Sequence, residues 1–188
     1  MKYAIFIFYF IGFCTFSQAQ DKTQPIRTLY QKVNESIAAC KNNECEMYCN
    51  ELVVNSKNNQ WRAVGVFKKI IQFWYTDQPE FYKEEYPEQG ETGVGALQKV
   101  VIETKSTYRE NVELLFDKGN LVFFYYNYAY NQKPTEKQEY RFYFSNNQLV
   151  KFIINTTVPE SDRTYKEKEF QVVLDMAKEY QKIFLELF

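Results

Sequence analysis

The chain has 188 residues, 45% hydrophobic and 25% charged, with 23 basic against 24 acidic side chains and no histidine. That balance excludes a disordered tail, a collagen-like repeat and a basic nucleic-acid binder. Its 17 Phe, 16 Tyr and 2 Trp exceed what a helical bundle needs, and six Gly and five Pro leave little room for flexible linkers.

The first segment reads as an address. Lys2 is the only charge before Asp21, Tyr3 to Phe16 is uncharged and strongly apolar, and Ser17-Gln18-Ala19 supplies the small residues that a signal peptidase requires. Cleavage is expected after Ala19, giving a signal peptide over 1–19 and a single α+β domain over 20–188, exported to a periplasm or secreted. The apolar run is 14 residues long, short of the roughly 20 of a bilayer-spanning helix, so the mature chain is expected not to span a membrane. Cys14 follows Phe13 rather than the small residue that lipid attachment needs. The aromatic-rich run ending in Phe-Ser-Gln-Ala-Gln resembles the export signals of Bacteroidota.

The mature chain reads as helix, meander, helix. Pro25 suits a first helical turn, and Ile26, Leu29, Tyr30, Val33 and Ile37 recur at helical spacing as far as Ala39. Lys41-Asn42-Asn43 breaks that helix inside a cysteine-containing loop. Leu52 to Ser56 reads as a short strand, Lys57-Asn58-Asn59 as its turn, and Trp61 to Tyr75 as one long strand bent near Gly65. Residues 77–95 form the main irregular segment, with Pro79, Pro87, three glycines and six carboxylates against one lysine. Strands follow at about 98–105, 109–116, 121–130, 138–144 and 149–155. A last helix opens at Ser161 or Asp162 and carries Val173, Met176, Ala177, Tyr180, Ile183, Phe184 and Leu187 as its apolar stripe. The expected fold is α+β: an N-terminal helix, an antiparallel β-meander of six or seven strands, and a C-terminal helix packed on the sheet.

Two turns set the expected register. Asp117-Lys118-Gly119-Asn120 and Ser145-Asn146-Asn147-Gln148 carry central residues that accept positive φ. A tight first hairpin places Phe116 opposite Leu121, Leu114 opposite Phe123 and Val112 opposite Tyr125 on a core face. Its other face then pairs Leu115 with Val122, Glu113 with Phe124, Asn111 with Tyr126 and Arg109 with Tyr128. The same logic in the second hairpin pairs Tyr143 with Val150 and Arg141 with Phe152. Slippage by one residue exchanges the faces, so the turn reading carries this expectation. Neither hairpin has a cleanly polar face, which calls for cover on both sides of the sheet.

The phrase Glu113–Tyr126 followed by Glu139–Ile153, "ELLFDKGNLVFFYY…EYRFYFSNNQLVKFI", resembles uncharacterised exported β-meander proteins of Bacteroidota. The resemblance implies export and a meander, and no activity.

The absence of histidine removes Ser-His-Asp and Cys-His triads, histidine zinc sites and histidine general bases. "GETGVG" at 90–95 lacks the spacing of a phosphate-binding glycine loop. No cofactor, metal or nucleic-acid partner is expected. Cys40, Cys45 and Cys49 are spaced C-x4-C-x3-C, which in an oxidising compartment predicts one structural disulfide and one leftover thiol, with the pairing open. Cys45 and Cys49 would lie on one face if they shared a helical turn. Glu44 and Glu46 disfavour a thiolate at Cys45, against a reactive role.

Two function classes follow. The first is an exported, non-catalytic binding or interaction module using an aromatic sheet face: Phe124, Tyr126 and Tyr128, with Arg109 and Asn111 opposite. Its partner would be a glycan, an apolar small molecule or an envelope protein; the plainer reading of the same rings is burial under a helix or the long loop. The second is a hydrolase of envelope or extracellular polymer using Glu80, Glu84, Glu85, Glu88 or Glu91 with Asp77, although no spacing among them selects a catalytic pair.

Overall fold

The computed structural model describes residues 21–40, 42, 44–62, 65–77, 94–131, 133–155 and 163–188, with backbone alone for 94, 133–136 and 163–169. The expected signal peptide over 1–19 and most of the acidic segment lie outside the described residues.

Helix α1 (Gln24–Cys40) begins where the sequence places it. Asp21 Oδ1 accepts hydrogen bonds from the Thr23 N–H (3.0 Å) and hydroxyl (2.7 Å), and the Asp21 carbonyl accepts the Gln24 N–H at 3.0 Å. Pro25, which has no N–H to leave unpaired, occupies the first turn. Strand β1 (Tyr48–Val54) follows, then a two-stranded ribbon of β2 (Gln60–Trp61) and β3 (Gly65–Val66), then β4 (Lys68–Tyr75). A 3-10 turn at Val94–Ala96 leads into β5 (Leu97–Lys105), β6 (Tyr108–Asp117), β7 (Asn120–Tyr130), β8 (Lys133–Ser145) and β9 (Gln148–Ile154), and α2 (Arg163–Leu185) closes the chain. The main sheet has the order β1-β4-β5-β6-β7-β8-β9 and is antiparallel throughout. The α+β meander between two helices is as expected.

The single long strand over 61–75 is not formed. Trp61 pairs with Gly65, whose φ of +76° turns the chain, and the Trp61 ring packs edge-on to Phe67 at 4.5 Å. Asn55 pins this ribbon by donating through Nδ2 to the carbonyls of Asn59 (2.8 Å) and Phe67 (2.6 Å). A local aromatic contact, with Trp61 still 45% exposed, and a side-chain clamp therefore divide what composition alone joins.

The sheet is covered on both faces. Under α2, the described core joins Phe73, Val100, Leu114, Phe116, Phe124, Phe142, Phe144 and Phe152 to Val173, Leu174, Ala177 and Phe184. Under α1, Leu115, Phe123 and Tyr143 meet Ile26 and Val33, with Leu29, Tyr30 and Ile37 at the margin. At roughly 1.5–3 kcal/mol for each large apolar side chain withdrawn from water, both layers contribute to the fold.

Register corrects one expectation. The first turn forms as expected, with Lys118 at φ 49° and Gly119 at φ 78°, and Phe116 faces Leu121. Val122 is then left without a partner, and the ladder shifts so that Leu115 faces Phe123, Leu114 faces Phe124 and Val112 faces Tyr126. The second hairpin repeats this: Asn146 and Asn147 have φ of 50° and 57°, Phe144 faces Leu149, Val150 is skipped, and Tyr143 faces Lys151. A bulge inserts one residue into one strand, so every later pair changes sides. The expected pairs Leu114–Phe123, Val112–Tyr125, Asn111–Tyr126, Arg109–Tyr128, Tyr143–Val150 and Arg141–Phe152 are therefore replaced.

Cys40 and Cys45 form the disulfide and Cys49 is a free, exposed thiol. Cys40 ends α1, and the chain turns back through Asn42, whose N–H reaches the Ala39 carbonyl at 2.9 Å. Cys49 already belongs to β1, opposite Trp74, so the helical turn that would bring it to Cys45 does not exist. Partial desolvation by the surrounding chain, with the Glu51 charge beside it, pushes the Cys49 thiol up to about 11. No helix among the described residues is long and apolar enough to cross a membrane.

Candidate functional site

The bulges decide which side chains can act together. Along β7 the even positions Phe124 and Tyr126 fall on the α2 side, and the odd positions Phe123 and Tyr125 on the α1 side. Phe124 is buried, 5.4 Å from Phe142, and belongs to the core. Tyr126 packs at the edge of that core, its phenol pushed up to about 12 by burial and by the Glu110 charge. Tyr128 stacks parallel to Tyr126 at 6.5 Å and contacts Tyr108 and Tyr130, each at 5.1 Å. Asn111 points the other way, donating through Nδ2 to Glu113 Oε1 at 3.1 Å on the α1 side. Arg109 shares the parity of Asn111 and pairs with Ala129. The expected constellation is therefore split: three aromatics on one face, Arg109 and Asn111 on the other.

The α1 side holds a different constellation. A half-open cleft of about 420 Å³ lies between the first turns of α1 and the sheet. Helix α1 supplies Ile26, Arg27 and Tyr30; β7 supplies Phe123 and Tyr125; β8 supplies Arg141 and Tyr143; β9 supplies Ile153. Three of these are consecutive cross-strand neighbours, since Tyr125 faces Arg141 and Arg141 faces Ile153. Tyr30 meets Phe123 edge-on at 5.1 Å, Phe123 lies 5.0 Å from Tyr143, and the Arg27 guanidinium sits over the Tyr143 ring at 5.8 Å.

A buried polar cluster fixes the inner wall. Lys99 Nζ pairs with Glu113 Oε2 at 2.6 Å, the side chains being 4% and 14% exposed. The same ammonium donates to Asn34 Oδ1 at 2.6 Å and lies 4.6 Å from the Tyr30 ring centre. The Tyr30 hydroxyl donates to Glu113 Oε2 at 2.7 Å. Glu113 thus accepts three donors and Lys99 donates to two acceptors, the condition under which a buried ion pair is tolerated. Burial and then the Glu113 charge push the Tyr30 phenol far above its ordinary value, so no tyrosinate forms there near neutrality. A second polar string lies along β7 and β8. Asn127 Nδ2 donates to the Tyr125 hydroxyl (3.0 Å), that hydroxyl donates to Glu139 Oε2 (3.4 Å), and Glu139 Oε1 pairs with Arg141.

Sequence reasoning missed Arg27, Tyr30, Tyr125, Arg141 and Tyr143 as a group. The signal was present in Leu121-Val122 and Leu149-Val150, the same pair two places after each turn centre, where both ladders skip the valine. Asp77 is exposed, while Glu80, Glu84, Glu85, Glu88 and Glu91 lie outside the described residues. Among the described residues no group of three His, Cys, Asp or Glu side chains is placed to hold a metal. No family model matches the chain, and no curated protein or solved structure matches it.

Proposed function

We propose that the protein is an exported, non-catalytic binding module, and that its recognition site is the cleft between α1 and the sheet. The observation that carries this reading is the cleft itself. Its volume of about 420 Å³ falls in the range of small-molecule sites, and aromatic walls with a few convergent polar groups are the usual lining of such sites. Of the partners suggested by composition, a concavity of this size suits a small molecule better than a polymer or a flat protein surface.

The chemistry of the walls supports binding over catalysis. Glu113 is committed to Lys99, Tyr30 and Asn111, and Glu139 to Arg141 and Tyr125. Neither carboxylate is left to move a proton for a substrate, and the Tyr30 phenol is held protonated.

Native and denaturing mass spectra of the protein purified from its own producer test the reading. The denatured mass is expected to correspond to a chain starting at Gln20 with one cystine. The native mass is expected to exceed it by a discrete increment. Ile153→Phe, which places a ring in the cleft, is expected to lose that increment while keeping the near-ultraviolet circular dichroism of the parent. An increment that survives Ile153→Phe moves the site elsewhere, and a bare native mass overturns the reading.

A further inference from the structure

We propose that the ligand of this cleft is a small organic anion with a flat or aliphatic apolar body, whose charged head is held by Arg27. The inference rests on the cleft being the recognition site and adds the chemical class of what it takes.

The polar groups around the cleft divide into those already paired within the protein and one that is not. The Tyr30 hydroxyl is committed to Glu113, and the Tyr125 hydroxyl both donates to Glu139 and accepts from Asn127. Arg141 is paired with Glu139. A sugar needs many neutral donors and acceptors, and these are already satisfied within the protein. Arg27 differs. Its carboxylate neighbour, Asp21, lies 4.0 Å away, and no hydrogen bond from its guanidinium to another described residue is formed. Asp21 is itself committed to the N–H and hydroxyl of Thr23, which hold its carboxyl below the ordinary value. Arg27 therefore brings up to five unspent N–H donors, in a fork that matches a carboxylate or phosphate, to the mouth of an apolar cleft.

The surroundings agree in sign. Arg27 and Arg141 line the cleft, and Lys151 lies close enough to act on Asp21. Among the described residues the only charged side chains lining the cleft are thus the two guanidiniums, and the Lys99–Glu113 pair behind Tyr30 compensates itself, on a chain whose overall formal charge is −1. The first turns of α1, which carry Ile26, Arg27 and Tyr30, add the positive end of a helix dipole. Behind the guanidinium the walls are Ile26, Ile153, Phe123 and the Tyr143 ring beneath it, which suit the apolar body. The shared chemistry is an anionic head on an apolar stem, whether the head is carboxylate or phosphate.

The test uses matched pairs of probes followed by backbone amide shifts in the mature protein: 3-phenylpropionate, indole-3-acetate and octanoate, each against its own amide, with phenyl phosphate as the phosphate arm. At least one anion is expected to shift the amides of α1 and β7–β9 and to bind about tenfold more tightly than its amide, the worth of one charge-assisted hydrogen bond. Arg27→Gln, at a side chain 45% exposed and so safe for the fold, is expected to erase that preference. Equal binding of acid and amide overturns the anion inference and leaves the cleft reading standing. A preference that survives in Arg27→Gln overturns the role of Arg27. If no probe shifts the cleft while the natively purified protein carries an increment that Ile153→Phe removes, the anion inference alone falls. If both experiments are silent, both readings fall.

Discussion

The two faces of the central sheet are both rich in aromatic rings, yet they treat charge in opposite ways. Beneath α2, Phe73, Phe116, Phe144 and Phe184 are fully withdrawn from solvent, and the carboxylate that acts on this face, Glu110 beside Tyr126 and Tyr180, stays half-buried at its margin. Beneath α1, the sheet buries Lys99 against Glu113 and surrounds the pair with Tyr30, Asn34 and Asn111. A dry face gains stability from every ring it covers. A polar face gains less, because each buried charge must first recover its lost hydration. What the second arrangement supplies is fixed geometry, since side chains tied by several hydrogen bonds hold a cleft open where apolar ones would collapse into it. On the reading proposed above, one face serves folding and the other recognition.

The sharpest way to break this comparison is to weaken the dry face. Phe184→Ala removes a ring packed against Phe73 and Tyr75 at 6.1 and 5.2 Å, and a loss of about 3–5 kcal/mol is expected in denaturant unfolding. A loss below about 1 kcal/mol would mean that α2 contributes little. On the polar face the expected pattern differs in kind. Glu113→Leu strands the Lys99 ammonium and is expected to cost about 3 kcal/mol, whereas the double change Lys99→Met with Glu113→Leu recovers most of that loss. A double variant as unstable as the single one would show that the pair is needed for more than mutual compensation.

Smaller effects follow at the margins. Reduction of Cys40–Cys45, which closes a short loop at the end of α1, is expected to cost about 2 kcal/mol by chain-entropy reasoning. It should loosen α1 and the cleft before α2, and exchange rates of α1 amides read this directly. The smallest effect near neutrality is alkaline. Tyr30 on one face and Tyr126 and Tyr180 on the other are all raised, in each case chiefly by burial. A phenol whose folded value lies above its unfolded value keeps its stabilising contribution below pH about 10, the unfolded value, and loses it as pH rises further. Stability is therefore expected to begin falling above pH 9.0, where the raised Cys49 thiol starts to cost, and to fall further above pH about 10 through the tyrosines, with part of the tyrosinate absorbance appearing only as the chain unfolds. Full titration of every tyrosine near pH 10 with no loss of fold would contradict this placement.

Much of the architecture was legible because it rests on local chemistry. Pro25 and the Ile26–Ile37 spacing give α1, the Val173–Leu187 stripe gives α2, and the turns at Lys118-Gly119 and Asn146-Asn147 give the hairpins. The candidate site was not legible, for a reason that can be named. Val122 and Val150 each occupy a bulge, and one unpaired residue transfers Phe124 and Tyr126 to the core side and Tyr125 and Tyr143 to the α1 side. Strand periodicity is two, so an error of one residue inverts every assignment after it. The ribbon at 60–66 escaped for a related reason, since Trp61 and Phe67 satisfy each other locally while composition reads them as parts of one strand.

What the sequence determined by itself was the two helices, the meander strands outside 60–75, their order and the positions of the tight turns, because these depend on side-chain periodicity and on which residues accept positive φ. It also limited the disulfide to one pair among Cys40, Cys45 and Cys49. The tertiary structure decided the rest: which cysteines meet, which face each aromatic occupies, and which guanidinium is left unspent at the mouth of a cleft. Those outcomes depend on contacts between residues far apart in the chain, such as Tyr30 with Glu113 and Asn34 with Lys99. Long-range pairings of this kind are fixed only when α1 docks against the completed sheet.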